Sequence, residues 1–293
     1  MSMGERLGAY GPHIAVAAVI ASEAITTALH GSHVSFALYG AMIAGGIWAW
    51  HSHCTHDRGV WAGSMAQSMT WDSFVRPSAT PEHNTAPLYL AMAERMGKTE
   101  HHVRAFAQQH SLERISIALP LSRGAFGDAN STRHGARGHL WLGQKWFHPR
   151  HTHHLPAVLE HELAHLRRHD TRKRLIAESA AVAATTLCSG LLALPALTLI
   201  VLTARLSLGA VRWWGELACD AAAVRACGRA PVAAMWSADL ADERTMPWVT
   251  RTWHTMRAVR IHPPLRLRRW FALRAPLRLS ADPHPLLATP ARV

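Results

Sequence analysis

The stretch from Leu175 to Leu208 is predominantly apolar, and it separates two groups of candidate metal ligands that would have to meet. Before it stands His161-Glu162-Leu163-Ala164-His165, and after it stands Glu216, followed one helical turn later by Asp220. If both groups touch one ion, a single passage of the apolar stretch through a bilayer would strand them on opposite sides. The segment must therefore cross twice or not at all. Ser189-Gly190, with Pro195 soon after, offers the place to turn. The two arms are short for complete spans, which take about 20 apolar residues. A membrane hairpin, tilted or partly inserted, and a water-excluded helix pair both fit this pattern.

A helix advances about 100° per residue, so His161 and His165 stack on one face and can aim two imidazole nitrogens at one metal. Glu162 lies beside them, able to reach a water without being a ligand. A catalytic zinc takes three protein ligands and keeps a fourth position open. Glu216 is the best candidate for the third ligand. Asp220 would point the same way, close enough to accept the free N–H of a ligating imidazole and fix its tautomer. A helix is expected over Leu155 to Asp170, with Pro156 in its first turn and Val158, Leu159 and Leu166 on an apolar side. A second is expected over Trp213 to Cys227, where alanines occupy 218, 221, 222, 223 and 226. H-E-x-x-H is short enough to arise by chance in a chain holding 22 histidines, and the downstream E-x-x-x-D is what sharpens it.

Taken in order, His161 to Asp170, Glu216 to Asp220 and His262-Pro263-Pro264-Leu265-Arg266 resemble the HtpX-like membrane metallopeptidases, which include the eukaryotic CAAX prenyl endopeptidases. BlaR/MecR-type sensor peptidases share the first two blocks. The resemblance covers residues 86 to 270 loosely, and only the three blocks are specific. It implies a gluzincin with His161, His165 and Glu216 as zinc ligands, Glu162 as general base and Asp220 behind His161. His262 enters as a catalytic candidate because the resemblance brings it near the site; it and Arg266 are possible donors to an oxyanion. The stretch Ala125 to Asn130 is only a loose counterpart of the Asn-Ala-Phe segment that borders the family's substrate strand.

Composition sets the context. With 293 residues and 49% hydrophobic content the chain can bury a sizeable core, yet its apolar residues are clustered. Residues 12 to 29 and 34 to 50 form two apolar runs without Lys or Arg. We read them as a membrane hairpin rather than a signal peptide, because the start Met-Ser-Met-Gly-Glu-Arg is weakly charged and a second run follows at once. Arg58, Arg167, Arg168, Arg172, Lys173, Arg174, Arg205 and Arg212 flank the apolar segments. The positive-inside tendency then puts the catalytic part in the cytoplasm of a multi-pass plasma-membrane protein. The net charge of +12 is carried mostly by scattered arginines, with a denser run from Arg257 to Arg278 that reads as lipid-headgroup contact or a solvated face, not as a nucleic-acid site.

The expected fold is mainly α, of α+β type: membrane helices plus a gluzincin catalytic domain with a small sheet. The expected division is 1–50 (hairpin), 51–174 (zinc helix), 175–211 (second apolar hairpin), 212–279 (third ligand) and 280–293 (disordered tail). Pro87 to Gly97 and Thr99 to His110 read as helices, with Leu88, Leu90, Met92 and Met96 on apolar positions of the first. Ile115 to Leu119 and His139 to Phe147 read as strands around a Gly-rich turn region, Ser122 to Gly138. The strand 139–147 is the expected edge on which a peptide substrate would add as a further strand. Cys54, Cys188, Cys219 and Cys227 show no C-x-x-C spacing and read as free thiols. His51, His53, Cys54, His56 and Asp57 read as a polar cap rather than a second metal site. His148, His151, His153 and His154 read as loop residues, one of them a helix cap. The function expected is zinc-dependent hydrolysis of protein or peptide substrates by a membrane-bound endopeptidase. The alternatives are a sensor-type peptidase that cuts a cytoplasmic repressor, for which the loops are short, and a noncatalytic metal-binding membrane protein.

Overall fold

The computed structural model describes residues 45, 87–119, 129–189, 192, 194–259 and 262–276. The expected N-terminal hairpin except Gly45, the cluster at 51–57, the segment 125–128 and the tail 280–293 lie outside these residues. Among the described residues the chain is mainly helical with one three-stranded sheet. The chain divides into two units, Met1–Trp61 with Arg172–Val211, and Ala62–Thr171 with Arg212–Val293.

Among the described residues of the second unit, helix α1 comes first, Pro87–Gln109. It runs through Gly97, where two helices were expected, because one glycine costs an interior turn only about 1 kcal/mol and Met96 and Val103 on either side of it are buried. Leu90 is 56% exposed, against its expected place on the apolar face; Met96 is the residue that reaches the core. Strand β1, Arg114–Ala118, pairs in parallel with β3, Arg137–Leu142, and β2, Ala129–His134, pairs with β3 in antiparallel. The order β1-β3-β2 puts β3 in the centre.

Two expectations change here. The region taken as a Gly-rich turn contains β2, and the strand expected over 139–147 ends at Leu142 and gives way to a short 3-10 helix, Gln144–Phe147. Strand β2 carries no apolar alternation because Ser131 and Thr132, on opposite faces of the strand, are both polar and yet buried. Gly135, with φ of 59°, supplies the left-handed first position of the two-residue turn into β3. A central strand has both edges paired, so β3 cannot receive a substrate strand, whereas β2 lies at an edge.

Helix α2, Leu155–Arg168, carries the two histidines and packs against β2. Its close approach to the sheet depends on Gly138, where an added Cβ would stand 3.4 Å from Leu166 Cδ1 and 3.2 Å from Ile115 Cγ1. Leu155, Leu159, Leu163 and Leu166 join Leu140, Leu142, Phe147, Val224 and Val232 in one buried cluster. Helix α3 is Asp170–Ser189 and α4 is Leu194–Cys227, so the helical run breaks at the expected turn. Residues 212–227 of α4 belong to the second unit. Ala164 of α2 is buried against Cys219 and Ala222 of α4, and these small side chains let the two backbones come close. Helices α5, Arg229–Thr245, α6, Trp248–Val259, and α7, Leu265–Arg274, follow among the described residues of the unit. Helix α7 packs along α5, tied by Arg229 Nε donating to the Ala275 carbonyl at 3.0 Å and Arg269 Nε to Ser237 Oγ at 2.8 Å.

His154 sits at the N-cap of α2 but its side chain makes no capping bond. Its Nδ1 is buried without a hydrogen-bond partner. Burial, reinforced by His153, His151 and Lys145, pushes its pKa down to about 4 from 6.5. The unfolded chain then takes up this proton first, so stability falls as pH drops from 6.5 towards 4, by about 2 kcal/mol at pH 5. We expect His154→Leu to flatten the fall of melting temperature between pH 6.5 and 4.5; a slope equal to the parent's would remove His154 as its cause.

In the first unit, among the described residues, the opening half of α4 is apolar and outward facing. Leu199, Leu202 and Leu206 are 66%, 55% and 75% exposed along one side, far more than a water-facing helix tolerates in a row. The segment Pro195–Cys227 is long and apolar enough to cross a membrane, the one such helix among the described residues.

Candidate metal centre

The site lies within the second unit, where α2 meets the end of α4. His161 and His165 project from one side of α2, their rings edge to face with centroids 4.9 Å apart. Glu216 projects from α4 towards both: its Oε2 is 3.4 Å from His161 Nε2 and its Oε1 is 3.4 Å from His165 Nε2. The two Nε2 atoms are 3.2 Å apart. A tetrahedral ion with bonds of about 2.05 Å requires ligand atoms spaced by about 3.3 Å. These three residues are therefore a group that could hold a metal ion.

The other ring nitrogens decide what those Nε2 atoms present. His161 Nδ1 is 3.0 Å from Asp220 Oδ1, and His165 Nδ1 is 3.0 Å from Asp170 Oδ2. A carboxylate facing Nδ1 holds the proton there and leaves a lone pair on Nε2. Two imidazole nitrogens and a carboxylate then converge, and the Arg268 guanidinium stands beside them, Nη2 3.2 Å from His161 Nε2 and Nη1 3.2 Å from Glu216 Oε2. Burial works against protonation of His161, but hydrogen bonds to Asp220 and Glu216 outweigh it and raise its pKa. For His165 burial is likewise outweighed, by Asp170, Cys219 and Glu216, and its pKa lies well above the ordinary value. Glu216 Oε2 is buried and receives no well-directed hydrogen bond, although His161, His262 and Arg268 all stand within 3.4 Å. The donor set of two imidazoles and one carboxylate fits zinc.

Local backbone geometry puts Asp170 in place. Helix α2 ends at His169, whose left-handed conformation, φ 55° and ψ 38°, lets its N–H reach back to the carbonyls of His165 and Leu166. Histidine tolerates this region better than most residues. The chain reverses there, so Asp170, first residue of α3, returns to the side of His165, where Arg168 Nε also donates to it at 3.1 Å. Sequence reasoning missed Asp170. Its signal was its position directly after the helix-ending His169.

Glu162 is buried beside the histidines, and Ser131 Oγ of β2 lies 2.8 Å from its Oε2 and 2.9 Å from its carbonyl oxygen. No sequence signal marked Ser131. His262 is also brought in: its Nδ1 is 3.0 Å from Glu216 Oε2, on a side chain that remains half exposed. Arg266 is exposed at the cavity wall, and the arginine that reaches the ligands is Arg268. Arg268 Nε and Nη2 donate to Asp220 Oδ2 and Oδ1 at 2.9 and 2.8 Å, and Nη1 lies 3.2 Å from Glu216 Oε2. Its guanidinium stacks 3.7 Å above the Trp236 ring. Two carboxylates one turn apart on an apolar helix demand such a cation, which was the readable hint.

A cavity of about 680 Å³ opens onto His161, Glu162, His165 and Glu216. Ala129 and Asn130, at the start of edge strand β2, line one side of it. Cys219 Sγ lies 3.6 Å from Asp170 Oδ2, and Cys188, Cys219 and Cys227 are free thiols. Compared with models of known protein families, with curated proteins and with solved structures, the chain finds no match.

Proposed function

We propose that this chain is a membrane-associated zinc endopeptidase of the gluzincin type, akin to the HtpX-like and CAAX prenyl endopeptidases. The observation that supports it most is the convergence of His161, His165 and Glu216, each histidine backed by its own aspartate, onto a cavity where Glu162 also stands. When bound, zinc supplies a Lewis acid that polarises a peptide carbonyl and makes water acidic near neutral pH. Glu162 takes a proton from the attacking water and delivers it to the leaving amine, its rotamer held by the Ser131 hydroxyl. Asp220 and Asp170 keep the two imidazoles in the ligating tautomer. His262, at the cavity rim beside Glu216, is positioned to donate to the oxyanion. The backbone of β2 at Ala129 and Asn130 pairs with extended substrate, a mode indifferent to side chains.

We place α3 and the first half of α4 as a hairpin at the bilayer. Its charge-free arms, residues 179–189 and 194–204, are each about 16 Å long, roughly half the hydrocarbon thickness. Partial insertion lets the chain leave and return on one side, which we take to be the cytoplasmic one. A multi-pass topology rests on the N-terminal apolar runs.

The test is zinc quantification on purified protein with casein turnover beside it. The parent is expected to hold one zinc per chain and to cut casein; Glu216→Ala is expected to lose both. A Glu216→Ala protein with full metal and full rate would move the third ligand elsewhere.

A further inference from the structure

We infer that the outer face of α7 is a second membrane contact, a docking surface for the anionic headgroups of a lipid bilayer. The sequence left the basic run from Arg257 to Arg278 open between headgroup contact and a solvated face, and the disposition of its side chains separates the two. Arg268 and Ala272 are buried, on the side of α7 that packs along α5. On the opposite side, at spacings of three and four, stand Arg266, Arg269, Trp270, Leu273 and Arg274, all exposed. Trp270 is 50% and Leu273 42% exposed. Either apolar group alone would mean little. Side by side among three arginines they form the mixed cationic and apolar stripe of a helix that lies in the headgroup layer.

No acid balances the stripe. The sequence from Arg244 to Ala281 contains neither Asp nor Glu, and among the described residues the ion pairs of α7 all belong to Arg268. Arg269 Nε donates to the neutral Ser237 Oγ, and the Arg274 guanidinium lies 4.7 Å from the centre of the Trp270 ring. These contacts hold the two side chains in place and leave their charge unneutralised.

A guanidinium fork matches the phosphate oxygens of a headgroup, and an indole settles where headgroups meet acyl chains. A nucleic acid also offers phosphates, but the bilayer takes up the aliphatic Leu273 as well. The same chain carries Pro195–Cys227, long and apolar enough to cross a membrane, which favours lipid among anionic partners.

The experiment reads side-chain access on the full chain, whether or not it cuts casein. Protein is placed in nanodiscs of phosphatidylcholine alone or with about 30 mol% phosphatidylglycerol, and hydroxyl-radical oxidation of Trp270 and Leu273 is followed by mass spectrometry. Oxidation of both is expected to fall about fivefold when phosphatidylglycerol is present, and to recover in about 0.5 M KCl, which screens the attraction. Arg269→Gln/Arg274→Gln is expected to bring the two lipids within about twofold of each other. The salt arm uses the unaltered chain, so it decides the matter should the variant not fold. Equal oxidation in both lipids, or protection that survives salt or the double substitution, would overturn the inference. Equal protection in phosphatidylcholine discs by an added DNA duplex would overturn it too, making the partner a nucleic acid. Failure to enter discs of either kind would overturn it together with the placement of α4 at the bilayer, whereas entry without lipid-dependent protection overturns the role of α7 alone.

Discussion

Glutamine in place of Glu162 is expected to leave zinc bound at the parental level and to lower casein turnover by about 10³-fold. The two side chains have the same length and nearly the same volume, and the amide oxygen can still accept from Ser131 Oγ, which lies 2.8 Å from the carboxylate. Folding and ligand geometry should therefore survive. What the amide cannot do is take up a proton and return it. The measurement pairs metal content with kcat at saturating casein. Turnover within about tenfold of the parent would show that some other group moves the proton. Loss of zinc together with activity would instead assign Glu162 to the metal's support.

The second large effect is on stability. Arg268→Ala removes the fork that satisfies both oxygens of Asp220, a residue with no solvent exposure, and strips one cation from beside Glu216. Breaking a buried pair from one side costs about 3–5 kcal/mol, because the remaining charge stays desolvated. For a chain of this size that is a fall of about 10 °C in melting temperature. Loss of the stacking on Trp236 acts in the same direction. Arg268→Lys keeps the charge but not the paired geometry, and it should fall between parent and alanine. Added zinc should recover part of the loss, since a second cation then faces Glu216. Thermal unfolding with and without chelator measures both. A melting temperature for Arg268→Ala within about 2 °C of the parent would mean that the pair contributes nothing net.

What could be read beforehand follows the range over which each constraint acts. The spacing of His161 and His165, and of Glu216 and Asp220, is local to one helix turn, so sequence alone placed each pair on a face. The break between α3 and α4 was legible because Ser189-Gly190 and Pro195 interrupt an otherwise uniform run. Contacts that bridge elements were less so. Arg266 and Arg268 differ by two residues on one helix, opposite faces of α7, and only packing against α5 tells which is buried. Strand β2 was hidden because Ser131 and Thr132 are polar and yet buried, Ser131 donating to Glu162 and Thr132 with its Oγ1 left without a hydrogen-bond partner. The strand expected to receive substrate, 139–147, had the clearest alternation for the reason that excludes it: a central strand buries alternate side chains most fully, and it has no free edge.

Summing formal charge around the ligands gives a simple result. Asp170 is offset by Arg168 at 3.1 Å, and Asp220 by Arg268 at 2.8 Å. With the histidines neutral, Glu216 and Glu162 are the two negative charges left over. The protein's own total is then minus two, which a divalent ion cancels and a monovalent or trivalent one does not. The two arginines thus leave the site a residual charge equal and opposite to that of a divalent ion, although neither is among the three candidate ligands.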